Sequence, residues 1–477
     1  MAAHTVLAIM VLAGMAVFLQ VYRIRFVNNG PNTGDAFTYL RVAREMRKQG
    51  TLFPEMVFYY TGQKETLNLP PLLMILLAPV SQWSYGRLIH TSFILDLIIA
   101  LVLYFFAVSF IPLGPAHGLI AALVYLLTPI NTVTSASLTP RSLGLLWFTV
   151  FVAAMSVHSI HGGSLSIAIA VLAAALAFLS QRMVAQIIVI VSPFAVATLW
   201  LLFDVGHLEI LAVIAGGMLL ALAITKGRYL PVLKDHMQRI ALHARHGQQD
   251  RFKREFGNPV QILKANPWLL IAAGFVLLQG IPNELLWVPA AYATGIVLLA
   301  VLWVMGNSVN HVYFLSPLVA LILAASVPLT VWVEAVLCVI AAICCILIMR
   351  EFRIVAGRRI KEDWLDCFRY INESRMAGRA LALPQIGFPP LIYYTPLVMA
   401  SSGHGSKAIS YDRMTLKKNI SNPEYLARFV KENSIRYLIV DHTTFADIRS
   451  FCAMRGEITF KEQYRNSSLA IMESQSN

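Results

Sequence analysis

Asn28-Asn-Gly-Pro-Asn-Thr-Gly-Asp-Ala-Phe-Thr-Tyr-Leu-Arg-Val-Ala-Arg-Glu-Met-Arg47 follows directly on an apolar segment long enough to cross a bilayer. A lone acid, Asp35, opens a short helical pattern that carries Arg41, Arg44, Arg47 and Lys48 and stops at Gly50. Aspartate is a favoured helix N-cap, and that role accounts for Asp35 without chemistry. Gly30-Pro31 and Gly34 also permit a tight approach, and a carboxylate at the edge of an apolar medium can serve as a general base. Arg41, Arg44 and Lys48 share one helical face, turned either to lipid headgroups and solvent or to a substrate. Glu45 is within reach of Arg41 or Lys48 on that surface.

The surroundings of this stretch set its solvent. Of 477 residues, 57% are hydrophobic and only 13% charged, so lipid rather than water is the medium. A span needs roughly 17 to 25 apolar residues. Such runs recur near 5–22, 86–110, 116–134, 142–159, 164–179, 183–202, 207–225, 267–281, 284–305, 311–327 and 329–350. The first has neither a basic leader nor a small-residue cleavage site and reads as a retained anchor. Leu69–Trp83 is short for a span and carries Pro70, Pro71 and Pro79. It reads as an interfacial helix with the proline pair at its start, where a missing N–H costs little.

The expected fold is therefore mainly α, a polytopic membrane protein of about 11–13 transmembrane helices over residues 1–350. The first loop, 23–85, contributes juxtamembrane helices, and a basic loop occupies 226–266. Residues 351–477 have soluble composition and read as a small α/β domain. In it, Lys361–Ser374 is an amphipathic helix presenting Trp364, Leu365, Phe368 and Ile371. Ala380–Leu383 and Leu391–Tyr394 read as strands, Asn422-Pro423 as a helix start, Tyr437–Asp441 as a buried strand, and Ser468–Met472 as a closing one.

A net charge of +13 favours anionic headgroups or phosphorylated substrates, and no nucleic-acid module is visible. With eleven spans, loop 23–85, Arg87, Arg141, Arg182, loop 226–266 and the tail fall on one side. The opposite turns carry no Lys or Arg, and the positive-inside rule would put the charged side in the cytoplasm. Cys338, Cys344 and Cys345 lie in the last span. Cys367 and Cys452 lie in the tail, where sequence alone cannot show a disulfide. No paired-cysteine metal spacing occurs.

Further candidates for chemistry sit at span ends on the charged side. Leu138-Thr-Pro-Arg-Ser-Leu-Gly144 opens a span, so Arg141 combines a guanidinium with a helix N-terminus, which suits a phosphate; a snorkelling arginine is the plainer reading. Arg182 is either a second phosphate ligand or a basic turn. Asn307, Asn310, His311 and Tyr313 form either a cavity wall or an ordinary polar rim. Asp96 and Glu334 lie inside spans, where ionisable groups are costly and face a bundle interior. Loop 226–266 is either a basic helix on anionic lipid or a mobile loop over a phosphorylated lipid.

Several of these elements, in this order, resemble the GT-C superfamily of integral-membrane glycosyltransferases, which includes oligosaccharyltransferases, protein mannosyltransferases and aminoarabinose transferases. Gly34–Met46 resembles its acidic first-loop motif. Asn68-Leu-Pro-Pro-Leu-Leu73 is similar to its proline-pair element, Leu138–Gly144 resembles a later span opening with a basic residue, and the tail resembles its soluble domain. The resemblance implies transfer of a sugar from a polyprenyl-phosphate or pyrophosphate carrier to a glycan, lipid or protein acceptor in the cell envelope. Asp35 would be the general base, or would hold the acceptor or a divalent cation, Mg or Mn. Arg41, Arg44, Lys64, Arg141, Arg182, His311 and Tyr313 would bind substrate and carrier phosphate. It also implies an active side facing out of the cytoplasm, against the basic-residue rule. No second acidic motif for metal and no acceptor-reading motif is found, which weighs against protein N-glycosylation. The rival readings are a transporter or flippase, and a ligase or polymerase, for polyprenyl-linked polysaccharide; a transporter would tend to show the internal repeat that this chain lacks.

Overall fold

The computed structural model describes residues 2–28, 36–57, 64–66, 68–111, 113–205, 207–246, 259–302, 308–356, 360–383, 389–399, 422–442 and 458–476. Each expected apolar segment is helical. These are α1 (Ala3–Asn28), α5 (His90–Ser109), α6 (Pro115–Leu127) with α7 (Pro129–Thr134), α8 (Arg141–His161), α9 (Ser164–Ser180) and α10 (Arg182–Phe203). They continue with α11 (Glu209–Ile224), α14 (Trp268–Gln279), α15 (Trp287–Leu302), α16 (Ser308–Ser326) and α17 (Val331–Ala356). Among the described residues, five helices are long and apolar enough to cross a bilayer: α1, α8, α10, α17 and the one covering Tyr85–Ser109. The others are shorter apolar helices. Leu277, Leu278 and Trp332 are 86%, 83% and 84% exposed. Water would penalise such surface, and hydrocarbon would not.

The segment expected as one span over 116–134 is broken between α6 and α7. Thr128, ahead of Pro129, is extended at φ −71°, ψ 121°, because a proline ring disfavours helical geometry in the residue before it. Elsewhere small residues let helices touch. A Cβ on Gly217 of α11 would lie 2.6 Å from the Ala174 Cβ of α9, so the two backbones meet in near contact there.

The first loop contains α2 (Ala36–Gln49), the two-stranded hairpin β1 (Glu55–Val57) and β2 (Lys64–Thr66), α3 (Leu72–Leu77) and α4 (Tyr85–Leu88). As expected, α2 stops at Gly50, whose φ of +64° closes a helix cheaply only in glycine. Pro71 caps α3, so the Leu69–Trp83 segment is a short surface helix led by its proline pair. Within the basic loop, α12 (Tyr229–His246) and α13 (Pro259–Ala265) are helical; residues 247–258 lie outside the described residues.

The tail forms α18 (Glu362–Glu373), β3 (Arg379–Leu383), α19 (Pro389–Tyr394), β4 (Val398–Met399), α20 (Pro423–Glu432), β5 (Tyr437–Asp441), β6 (Ile458–Arg465) and β7 (Leu469–Ser476). Its strand order is β4-β3-β5-β7-β6, with β3 parallel to β4 and β5, and β7 antiparallel to β5 and β6. Asn422 caps α20 by accepting from the Tyr425 N–H at 3.2 Å. One expectation fails: Leu391–Tyr394 belongs to helix α19, not to a strand. Pro389-Pro390 start that helix, and Thr395 follows it with its hydroxyl donated back to the Leu391 carbonyl at 2.7 Å. Cys367, on the buried face of α18, has its thiol pushed up to about 12 by desolvation; Cys452 lies outside the described residues.

Candidate active site

The helix ends on the charged side of the bundle converge on one buried carboxylate. Asp96 lies two turns into α5 and is 3% exposed. Arg23 of α1, 2% exposed, places a guanidinium nitrogen 4.0 Å from it. The Tyr125 hydroxyl of α6 donates to Asp96 at 3.3 Å. Ser135, just after α7, and Ser142, in the first turn of α8, also turn hydroxyls to it. The Tyr313 hydroxyl of α16 donates to the Ser142 hydroxyl at 3.2 Å. Arg23 also donates to the Ser135 carbonyl and, at 3.4 Å, to Gln20, and its guanidinium lies 5.2 Å from the Phe93 ring centroid. A buried charge is tolerated where pairing and hydrogen bonds replace lost hydration, and here five helical segments supply them.

Arg141 opens α8 beside Ser142, so it borders this network. It makes no ion pair or hydrogen bond among the described residues. It is half-buried, with the unbonded N–H groups of the first turn next to it. A guanidinium with free donors at a helix N-terminus is suited to an anion. The end of α1 is tied in by His90, whose Nε2 lies 3.2 Å from the Asn28 side-chain oxygen. Asp35 lies outside the described residues. Its chain neighbours Ala36 and Phe37 are fully buried.

That burial comes from an aromatic cluster. The Phe37 ring lies 4.8 Å from Tyr85, 5.3 Å from Tyr393 and 5.6 Å from Tyr394, centroid to centroid. The last two belong to α19, so the C-terminal domain packs directly on α2. Arg44 strengthens the junction: it donates to the Tyr393 hydroxyl at 2.6 Å and to the Ser81 carbonyl at 3.2 Å. Arg41 pairs with Glu45 at 3.2 Å, as the helical spacing suggested.

The other candidates are placed differently. Arg182 pairs with Asp235 of α12 at 2.8 Å and donates to the Asn68 carbonyl, tying α10 to the basic segment and to the first loop. His311 is buried one turn into α16, near Tyr313 in sequence. Lys64 begins β2, opposite Val57 in the hairpin. Asn307 lies outside the described residues. Glu334 is remote from this end: it accepts from Thr5 at 2.6 Å and lies 2.7 Å from His4 Nδ1, joining the starts of α1 and α17. Both intramembrane acids therefore have partners from α1.

Sequence reasoning missed Arg23, Tyr125 and Ser142. The apolar run of the first span stops at residue 22, whereas α1 continues to Asn28 and keeps Arg23 inside the bundle. An available signal was the matched depth of Arg23, near the exit of one span, and Asp96, near the entry of the next. Among the described residues, no group of three His, Cys, Asp or Glu side chains converges to hold a metal.

An integral-membrane bundle with surface helices in its first loop and an α/β domain seated on them defines the class: the chain has the fold of the GT-C glycosyltransferases. It is similar over its whole length to ArnT from Cupriavidus metallidurans bound to undecaprenyl phosphate, with a TM-score of 0.60, 12% identity, and 99% and 98% of the two chains covered. The apo state of that protein matches at a TM-score of 0.59 and 12% identity, over 96% and 98%. The Archaeoglobus fulgidus oligosaccharyltransferase, tethered to an acceptor peptide containing the NVT sequon, matches at 0.56 and 10% identity, covering 98% of this chain and 74% of that one. No protein-family profile and no curated protein sequence matches.

Proposed function

We propose that this protein transfers a sugar from a polyprenyl-phosphate or pyrophosphate carrier to an acceptor in the cell envelope. The observation that carries the reading is the position of Arg141. It is a cation without a partner among the described residues, at a helix N-terminus, on the bundle end where α1 finishes at Asn28, a few residues before Asp35 in the chain. The full-length likeness to a protein solved with undecaprenyl phosphate supports the same ligand chemistry.

In this reading an acceptor nucleophile attacks the anomeric carbon and Asp35 takes its proton. The bond from that carbon to the carrier phosphate breaks, and the departing phosphate gathers charge opposite Arg141. Tyr313 and Ser142 line the same end and hold the first turn of α8 in place. The Arg23–Asp96 pair positions the α1 and α5 ends rather than touching substrate. Among the described residues no carboxylate set converges to help Asp35 hold a divalent cation. Arg182, already paired with Asp235, serves the carrier only if that pair opens.

The two intramembrane acids are accounted for as structural: Asp96 by Arg23, Glu334 by His4 and Thr5. Asp35→Asn is expected to abolish transfer from a labelled polyprenyl-phosphosugar in membranes while leaving expression normal. Unchanged transfer would refute the assignment, and absence of any transfer by the native chain would favour a flippase or a ligase.

We further propose that the site and the C-terminal domain face out of the inner or plasma membrane, the basic side chains being kept for anionic ligands despite the topological preference. Single cysteines introduced in loop 226–266 should react with an impermeant maleimide in intact cells. Reaction only after permeabilisation would place the site in the cytoplasm.

A further inference from the structure

An amphipathic cavity of about 360 Å³ opens between α7, α13 and α17. Its polar part carries Lys264 of α13 and Arg350 of α17, with Gln261 and Thr134 beside them and one acid, Glu351. Neither cation forms an ion pair among the described residues, and both are exposed. Its apolar part is made by Ile130, Val133 and Leu347. Polar and apolar linings are ordered by depth. Leu347 precedes Arg350 by a turn on a helix running toward the charged side, so the carbon-rich wall lies deeper than the cations. Ile343 and Ile346 carry the exposed apolar surface of α17 onward from that wall into the lipid-facing flank.

A wholly aqueous anion would gain nothing from that wall, and a neutral lipid nothing from the cations. We propose that this cavity binds the phosphate headgroup of an anionic membrane phospholipid, with the start of its acyl chain along Val133 and Leu347. The two cations outnumber the one acid, and juxtamembrane cations draw anionic headgroups to the surface. Thr134 directly precedes Ser135, whose carbonyl holds Arg23, so an occupied cavity supports the α7 wall of the Asp96 network from outside.

The full chain in nanodiscs of zwitterionic lipid, titrated with fluorescent phosphatidylglycerol, tests this. Binding is expected to exceed that of fluorescent phosphatidylcholine and to resist inorganic phosphate. The K264Q/R350Q double variant should weaken it about 30-fold, at roughly 1 kcal/mol per cation near a membrane surface. Glu351→Gln should strengthen it, an outcome that misfolding cannot mimic. Equal affinity for the two lipids, or unchanged binding in the double variant, overturns the proposal. Displacement by inorganic phosphate also overturns it, in favour of a free phosphate site. Because no sugar transfer is read, the result stands or falls apart from the transferase reading.

Discussion

At the scale of residues, Arg23 and Arg141 show how one side-chain type serves two ends. Arg23 is enclosed, paired with Asp96 and bonded to the Ser135 carbonyl. Removing one partner of such a pair leaves an uncompensated buried charge, at about 3–5 kcal/mol. Arg141 has no such partner among the described residues, so its loss costs the fold little. Arg23→Gln should therefore lower the thermal midpoint of the purified protein by several degrees. Arg141→Gln should leave that midpoint within a degree or so and cut transfer efficiency about 10- to 100-fold, as loss of a charge-assisted phosphate contact implies. Equal thermal effects of the two variants would undo this division of roles. Asp96 was recognisable in the sequence as an intramembrane acid, but its partner was not, because Arg23 is 73 positions away in the chain and only helix packing brings them together.

Elements depend on local chemistry that the sequence states openly, except where a turn decides the outcome. The proline pairs at Pro70-Pro71 and Pro389-Pro390 both start helices. The first was recognised; the second was hidden by Leu391-Ile-Tyr-Tyr394, whose β-favouring composition is overridden by packing against Phe37. The same domain contains an acid whose role is legible only in three dimensions. Asp363, in the first turn of α18, accepts from the Ser467 and Ser468 hydroxyls of the β6–β7 turn, each at 2.5 Å. Those bonds favour the ionised form and hold its carboxyl below the ordinary carboxylate value. The resulting stabilisation is present above about pH 4, the ordinary aspartate range, and is lost as pH falls through the lower folded value. Asp363→Asn should then speed amide exchange in β7 at neutral pH, with the gap from the native chain narrowing in acid. A gap that stays constant with pH would separate the effect from ionisation.

For the whole molecule, the decisive contact is that of the C-terminal domain on α2. Tyr393 is 7% exposed and bridges Phe37 and Arg44. Tyr393→Ala opens this junction at about 3 kcal/mol, by analogy with other buried aromatic truncations. It should depress sugar transfer strongly while amide exchange in β5 stays slow, since the sheet has its own core around Leu381, Leu438 and Val440. Tyr393→Phe, which loses only the bond from Arg44, should be milder. Transfer unaffected by the alanine variant would mean that the seating of the domain on α2 does not matter to catalysis. The sequence by itself determined the membrane class, the eleven apolar segments, the surface helices of the first loop and the α/β tail. These follow from composition, periodicity and proline placement, which act over a few turns of chain. Only the tertiary structure decided that Arg23 neutralises Asp96, that Arg182 is taken by Asp235, and that the tail closes over α2. Each of those depends on which groups meet at one depth of the bundle, and a low-dielectric interior makes such meetings far stronger than their spacing along the chain can reveal.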